Sequence, residues 1–263
     1  MLKLSITESN KYLLWLPYAY TFYSRTSSLR DFVVNAATSW VPAVILIFTL
    51  SGFSFFESIA FFIAGYLIFL CVYEVGYVVN DSYGLIHDET PRDRLGVSPT
   101  RIFLSGFVLT RFFVFFILCF KLDLFASYTF TVAYAALVAL LVAHNMLRRV
   151  EIKFFTFFQL SLLRYSLPVV PALVAASELR SVELVFLLAA STFTQPRFIT
   201  YLDAKGRLDL PERKMQGFLM KVYFAVSPLV IYLSVLHQSA APLVVLLWLL
   251  FVQFVYKLAG PKW

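Results

Sequence analysis

The sequence predicts an all-α fold, a polytopic transmembrane helix bundle. Hydrophobic residues fill 60% of its 263 positions and charged residues only 14%, against roughly 25% charged in soluble globular domains. Mean hydropathy is +0.80. Too little polar surface is available to cover a soluble body of this size. A helix that crosses the hydrocarbon needs about 20 mainly apolar residues, and eight such stretches lie near 33–50, 55–79, 102–120, 124–144, 154–176, 182–202, 215–236 and 239–257. Lys and Arg fall on alternate connections between them, the pattern of cytoplasmic loops.

Residues 1–32 precede the first span. Their aromatic stretch "KYLLWLPYAYTFY" is too short to cross a bilayer and is interrupted by Pro17, so an interfacial N-terminal segment is expected. The first twenty residues lack a compact apolar core followed by a small-residue cleavage site, and no cleavable leader is expected. Residues 33–263 then read as one helical-bundle domain, since no linker rich in Gly, Ser or Pro divides them. Cys71 and Cys119 fall inside spans and read as small apolar fillers.

The bases form groups. Lys3, Lys11, Arg25 and Arg30 precede span one; Arg92, Arg94 and Arg101 follow span two; Arg148, Arg149 and Lys153 follow span four. Lys205, Arg207, Arg213 and Lys214 follow span six, with Lys257 and Lys262 near the end. The intervening connections hold only Lys121 and Arg180. This places both termini and three loops on the cytoplasmic side of a cell (plasma) membrane. The formal charge of +7 is thereby explained by topology and calls for no nucleic acid.

Two acidic clusters stand out. Span two ends in "GYVVNDSYGLIHDE" and span six in "ITYLDAKGRLD", four spans apart and so on one side. Two four-helix halves of equivalent orientation would bring both clusters to a central cavity. If span two continues as helix, Asp81 and Asp88 are two turns apart on one face with Asn80 beside them. Carboxylates with an amide suit Mg²⁺, which takes oxygen ligands and keeps waters and substrate phosphates in its shell. Arg92 and Arg94 follow and suit phosphate oxygens. The same charges also suit a solvated helix end that serves as a membrane stop. The second cluster offers Asp203 and Asp209 to a metal, and Lys205, Arg207, Arg213 and Lys214 to a phosphate. Arg148 and Lys153 approach from the third polar loop.

Four ionisable residues lie inside spans: Glu74, Arg111, Arg164 and Arg197. Charge at membrane depth is expensive and is normally paired or functional. Glu74 is expected to pair with Arg111. Arg197, six residues before Asp203, is expected to look into the cavity and bind phosphate. Arg164 has no partner legible in the sequence.

Over residues 28–236 the chain resembles the UbiA superfamily of intramembrane prenyltransferases. "NDSYGLIHD" fits that family's first motif, N-D-x-x-D-x-x-x-D, at Asn80, Asp81 and Asp88, with Gly84 in place of the middle acid. "ETPRDRLG" resembles its Arg-containing segment, "SLRDFVV" the opening of its first span, and "RRVEIKFFTFFQ" the basic-to-Gln stretch of its fifth, at Arg148, Arg149 and Gln159. The second motif, D-x-x-x-D, is met at Asp203 only; Arg207 occupies the second position and Asp209 lies two further on. The family usually has nine spans, and eight are found here.

The resemblance implies Mg²⁺ held by both motifs, a prenyl diphosphate as donor, and transfer of its isoprenyl group to an acceptor, with Asp81, Asp88 and Asp203 as the catalytic acids. Asn80, Asp81, Asp88, Asp203 and Asp209 are the implied metal ligands. One branch of the superfamily instead moves phosphoribosyl from phosphoribosyl pyrophosphate to a polyprenyl phosphate; an aspartate-poor second motif followed by an Arg-Lys pair, as at Arg213 and Lys214, resembles that branch. A catalytically silent bundle that binds lipid or scaffolds a partner is the reading from a different class. The acceptor, the lipid's length and the oligomeric state are not encoded legibly.

Overall fold

The structure, a computed structural model, describes residues 11–26, 28–82, 100–211 and 217–259. Apart from turns and short connections these are helical, with no strand among them. A 3-10 turn, Lys11–Trp15, leads to α1 (Ala19–Arg25), α2 (Leu29–Ser51), α3 (Phe55–Ser82), α4 (Arg101–Lys121) and α5 (Tyr128–Met146). Then come α6 (Val150–Ser166), α7 (Val170–Ala175), α8 (179–204), α9 (Phe218–Leu236) and α10 (Ala241–Leu258). In hydrocarbon every backbone group must be satisfied within the protein, and helices do this segment by segment.

Six of these helices, α2, α3, α4, α5, α9 and α10, are long and apolar enough to cross a membrane. The other two expected spans correspond to α6–α7 and α8. Pro168 and Pro171 break the first between Ser166 and Val170, and α8 carries Arg180, Glu183, Arg197 and Asp203. Starts are marked as the sequence chemistry requires. Ser28, Thr100 and Ser127 cap α2, α4 and α5 by accepting from the N–H groups of Asp31, Phe103 and Phe130. At α3, Ser54 and Glu57 satisfy each other's N–H groups, a capping box. Gly52, at φ 73, supplies the left-handed residue that ends α2.

Around the bundle each of α2, α3, α5, α6, α8, α9 and α10 packs on the next, and α10 returns to α2. α4 flanks this ring against α3, and the short α7 packs on α2, α3, α5 and α8. The break between α6 and α7 lies against Gly65 of α3. A Cβ there would sit 2.2 Å from the Pro168 carbonyl oxygen, a backbone atom unable to swing aside. Gly65→Ala is therefore expected to destabilise the bundle by about 1–3 kcal/mol, the usual cost of overpacking, measurable as a lower melting temperature in detergent. An unchanged temperature would show the break to be loosely packed.

Two π turns interrupt the ring, Ala36–Trp40 in α2 and Ala190–Thr194 in α8. Each lies just before a proline, in "ATSWVP" and "STFTQP". Pro42 and Pro196 have no N–H for the carbonyls of Thr38 and Thr192, and their rings crowd the preceding turn. A widened turn relieves that crowding. Val41 N–H bonds to Ala36 O, and Gln195 N–H to Ala190 O, five residues back.

The N-terminal segment packs into the groove between α3 and α4. Leu14 and Tyr20 are fully buried, in a cluster with Val78, Phe103 and Phe107. Trp15 lies over Gly106 and donates from Nε1 to Phe103 O at 3.2 Å. Beneath it Arg111 pairs with Glu74 at 2.7 Å, both side chains at most 1% exposed. The pair expected from the sequence is present, and it grips the segment above it.

Candidate functional site

Several polar ends meet at one face of the bundle. Leu141 of α5 packs on Gly76 of α3, and Asn145 Nδ2 donates to Gly76 O at 3.3 Å. Three residues join α5 to α6. There Phe157 stacks on Tyr201 of α8 with ring centroids 3.8 Å apart, and Glu151 pairs with Arg207 just beyond α8. The C-terminal ends of α3, α5 and α8 and the start of α6 thus lie together. This brings Asn80, Asp81, Arg148, Lys153, Asp203, Lys205, Arg207 and Asp209 to the same end. Asp88, Arg92, Arg94, Arg213 and Lys214 lie outside the described residues, as does any continuation of α3 through Asp88.

Asp81 sits in the last described turn of α3, part-buried. Its Oδ2 accepts from Tyr20 Oη at 2.9 Å and its Oδ1 from Asn80 Nδ2 at 3.3 Å. Asp203 stands near the end of α8, where Gly206 at φ 68 closes the helix. Gly206 N–H returns to Asp203 O and Arg207 N–H to Leu202 O, a Schellman turn. Asp203 Oδ1 also accepts from Leu210 N–H at 2.9 Å, drawing the loop back onto the helix. The turn carries Arg207 off the helix to Glu151. Arg207, Lys205, Asp209 and Arg148 are exposed, and Lys153 is part-buried. Among the described residues no three His, Cys, Asp or Glu side chains come together.

Inside the ring a cavity of about 410 Å³ is lined by residues of α2, α6, α8, α9 and α10. Its walls include Val34, Gly217 and Tyr256, at the helix ends nearest Asp203, so it reaches that face. Arg197 lines it and donates to Tyr165 Oη at 3.4 Å, with its guanidinium 6.0 Å from the Phe157 ring. Six residues before Asp203, Arg197 lies about 9 Å further along the helix axis. Both π turns border the same space, through Thr38 and Ser39 on one side and Thr192 and Phe193 on the other. π turns recur at functional sites because they aim side chains that a regular helix would carry elsewhere.

A smaller cavity of about 20 Å³ shares Ser39 and Tyr165 with the first, and Arg164 lines it with Trp40 and Tyr66. Arg164 donates to Tyr77 Oη at 3.3 Å. It stands about 21 Å along α6 from Val150. Among the described residues, neither Arg164 nor Arg197 has a carboxylate in ion-pair range; phenol oxygens are their polar partners. Sequence reasoning anticipated Arg197 facing a cavity and singled out Arg164 without finding it a partner. Its partners come from an aromatic stripe on α3, Tyr66–Phe69–Tyr73–Tyr77, whose rings follow one another at 4.7 to 6.4 Å.

Carboxylate and amide oxygens are the donor types that Asp81, Asp203 and Asn80 bring to this end of the bundle, and Mg²⁺ takes ligands of both types. Compared with known proteins, the chain matches no family model, no curated sequence and no solved structure.

Proposed function

We propose that this membrane protein is a transferase whose donor carries a diphosphate, and that the group moved is an isoprenyl chain. One observation supports this most: Arg164 and Arg197 stand inside the helix ring beside a cavity, with phenol hydroxyls and no carboxylate among their partners in the described residues. Two cations at membrane depth call for an anion, and a diphosphate brings two or more charges on oxygens that guanidinium forks match. Mg²⁺, held by Asp81 and Asp203 with Asn80, Asp88 and Asp209, would neutralise diphosphate charge and make it a better leaving group. Arg197 meets the same group from inside the cavity, and Arg92, Arg94, Arg148, Lys153, Lys205, Arg207, Arg213 and Lys214 supply positive charge around it. The apolar helices sequester the tail from water. The alternation of bases supports a cytoplasmic position for this face.

A second reading, transfer of phosphoribosyl from phosphoribosyl pyrophosphate to polyprenyl phosphate, is favoured by the wall chemistry. Thr38, Ser39, Thr200, Gln253 and Tyr256 offer hydroxyl and amide groups that a sugar uses and an isoprenyl tail does not. Purified protein with Mg²⁺ separates the two. Labelled prenyl diphosphate with a membrane lipid extract as the source of acceptor should yield a prenylated lipid-soluble product, and phosphoribosyl pyrophosphate plus polyprenyl phosphate should not. Product from the second mixture alone would exchange the readings. No product from either, with Asp81→Ala harmless in cells, would leave a silent lipid-binding or scaffold bundle.

Arg197→Gln keeps a hydrogen-bonding side chain and removes the charge. It is expected to lower kcat/KM by about 10²-fold, the usual loss for one preorganised donor to a developing anion. The Ki of inorganic pyrophosphate should rise in parallel. Unchanged inhibition by pyrophosphate would remove Arg197 from the anion site.

A further inference from the structure

The chain breaks direction at Leu16–Pro17–Tyr18, where the 3-10 turn ends and α1 begins, with Tyr18 at φ 76. Such a break leaves carbonyls on one side and N–H groups on the other without helical partners. Arg111 donates to the carbonyls of Leu14 and Leu16, each at 2.8 Å, and to that of Trp15. Glu74 accepts from the N–H groups of Thr21 at 2.8 Å and Tyr18 at 3.3 Å. The cation thus caps a helical C-terminus and the anion a helical N-terminus, each the sign that the local dipoles favour. α1 is held in one register by side chains from two other helices. That register places the Tyr20 ring edge-on to Phe107, 5.6 Å between centroids, with its hydroxyl on Asp81.

We infer that residues 11–25 form a strap that positions the Asp81 carboxylate, with Tyr20 as the positioning residue. The inference rests on the reading that Asp81 holds a divalent cation. A phenol that donates to one carboxylate oxygen while Asn80 Nδ2 donates to the other fixes the side-chain rotamer. Hydrogen-bonded partners of this kind set ligand orientation, and their loss typically weakens metal binding about 10- to 100-fold. The Glu74–Arg111 pair supplies the rigidity, because it ties the segment at five backbone groups on both sides of the bend.

Mn²⁺, titrated by electron paramagnetic resonance into the full chain in detergent, tests this without any turnover. Wild type, Tyr20→Phe and Asp81→Asn are compared, each with its melting temperature. Tyr20→Phe keeps the ring and its packing, so its melting temperature should stay close to wild type while Mn²⁺ affinity falls about tenfold. Asp81→Asn should abolish the specific signal. If wild type and Tyr20→Phe bind Mn²⁺ equally and Asp81→Asn does not bind, the strap has no positioning role and the inference fails alone. If wild type itself binds no Mn²⁺, or Asp81→Asn binds as well as wild type, the cation reading fails and the inference with it. A Tyr20→Phe protein whose melting temperature falls while its Mn²⁺ affinity holds would make Tyr20 structural only and also overturn it.

Discussion

Arg111→Ala should lose far more stability than any exposed charge change in this chain, about 3–5 kcal/mol. That is the penalty of stranding one member of a buried ion pair. Glu74 would be left at 0% exposure with an uncompensated charge. Three carbonyls of the N-terminal segment would lose the Arg111 donor at the same time, and only that of Leu16 has another shown, from Ala19 N–H. Glu74→Ala should cost a comparable amount by the mirror argument, stranding a guanidinium that also lies 3.8 Å from the Phe107 ring. The double variant Glu74→Leu/Arg111→Met is the informative one. Replacing a buried pair by apolar residues of similar volume is often close to neutral, so it should recover much of the loss. It should not recover all of it, because the break at Leu16–Tyr18 keeps its orphan backbone groups. Thermal unfolding in detergent checks this: single variants about 10 °C or more below wild type, the double variant between. A double variant as poor as the singles would locate the cost in the strap and not in the pair.

The Glu74–Arg111 pair was legible in the sequence because an isolated charge in an apolar span has few physical alternatives. Arg164 was not, since its partners are tyrosines, and tyrosines on α3 look in sequence like any aromatic residues of a greasy helix. The π turns left a trace in Pro42 and Pro196, but a proline inside a span announces only a disturbed turn. Which face the disturbance re-aims depends on neighbours that come from distant helices. Pro168 and Pro171 similarly broke what periodicity read as one span at 154–176 into α6 and α7. The segment "KYLLWLPYAYTFY" has the same amphipathic pattern whether it lies on lipid or in a protein groove. In the structure it packs into the groove beside Gly106, over the buried pair.

Asp203 shows how far a motif can be read and where local structure takes over. Spacing alone marks Asp203, Arg207 and Asp209 as neighbours in an acidic-basic cluster. The Schellman turn at Gly206 separates them: Asp203 stays on the helix, Arg207 turns to Glu151, and Asp209 lies exposed in the loop. A helix-stop glycine four residues after the isoleucine-threonine-tyrosine-leucine run was the available signal.

Asp81→Ala and Asp203→Ala are expected to abolish turnover, a loss of about 10³-fold or more for removing an ionic ligand worth several kcal/mol in the transition state. Their folding should barely change. Asp203 occupies the last turn of α8, and Asp81 the last described turn of α3. For Asp203, an acid near a helix C-terminus faces the negative end of the dipole, an unfavourable placement of some 0.3–1 kcal/mol. Removing it relieves that repulsion. For Asp203→Ala the relief is offset by losing the bond to Leu210 N–H, about 1 kcal/mol. For Asp81→Ala the Tyr20 hydroxyl loses its acceptor, a cost of the same size. Salt separates the acids' environment from that of the exposed bases: raising ionic strength should weaken contributions from Arg148 and Lys205, which solvent screens, while leaving Arg197 in the cavity little affected. Product formation followed by mass spectrometry, alongside melting curves of the same preparations, checks both halves. Two variants with near-normal rates, or two that fail to fold, would remove the acids from the reaction.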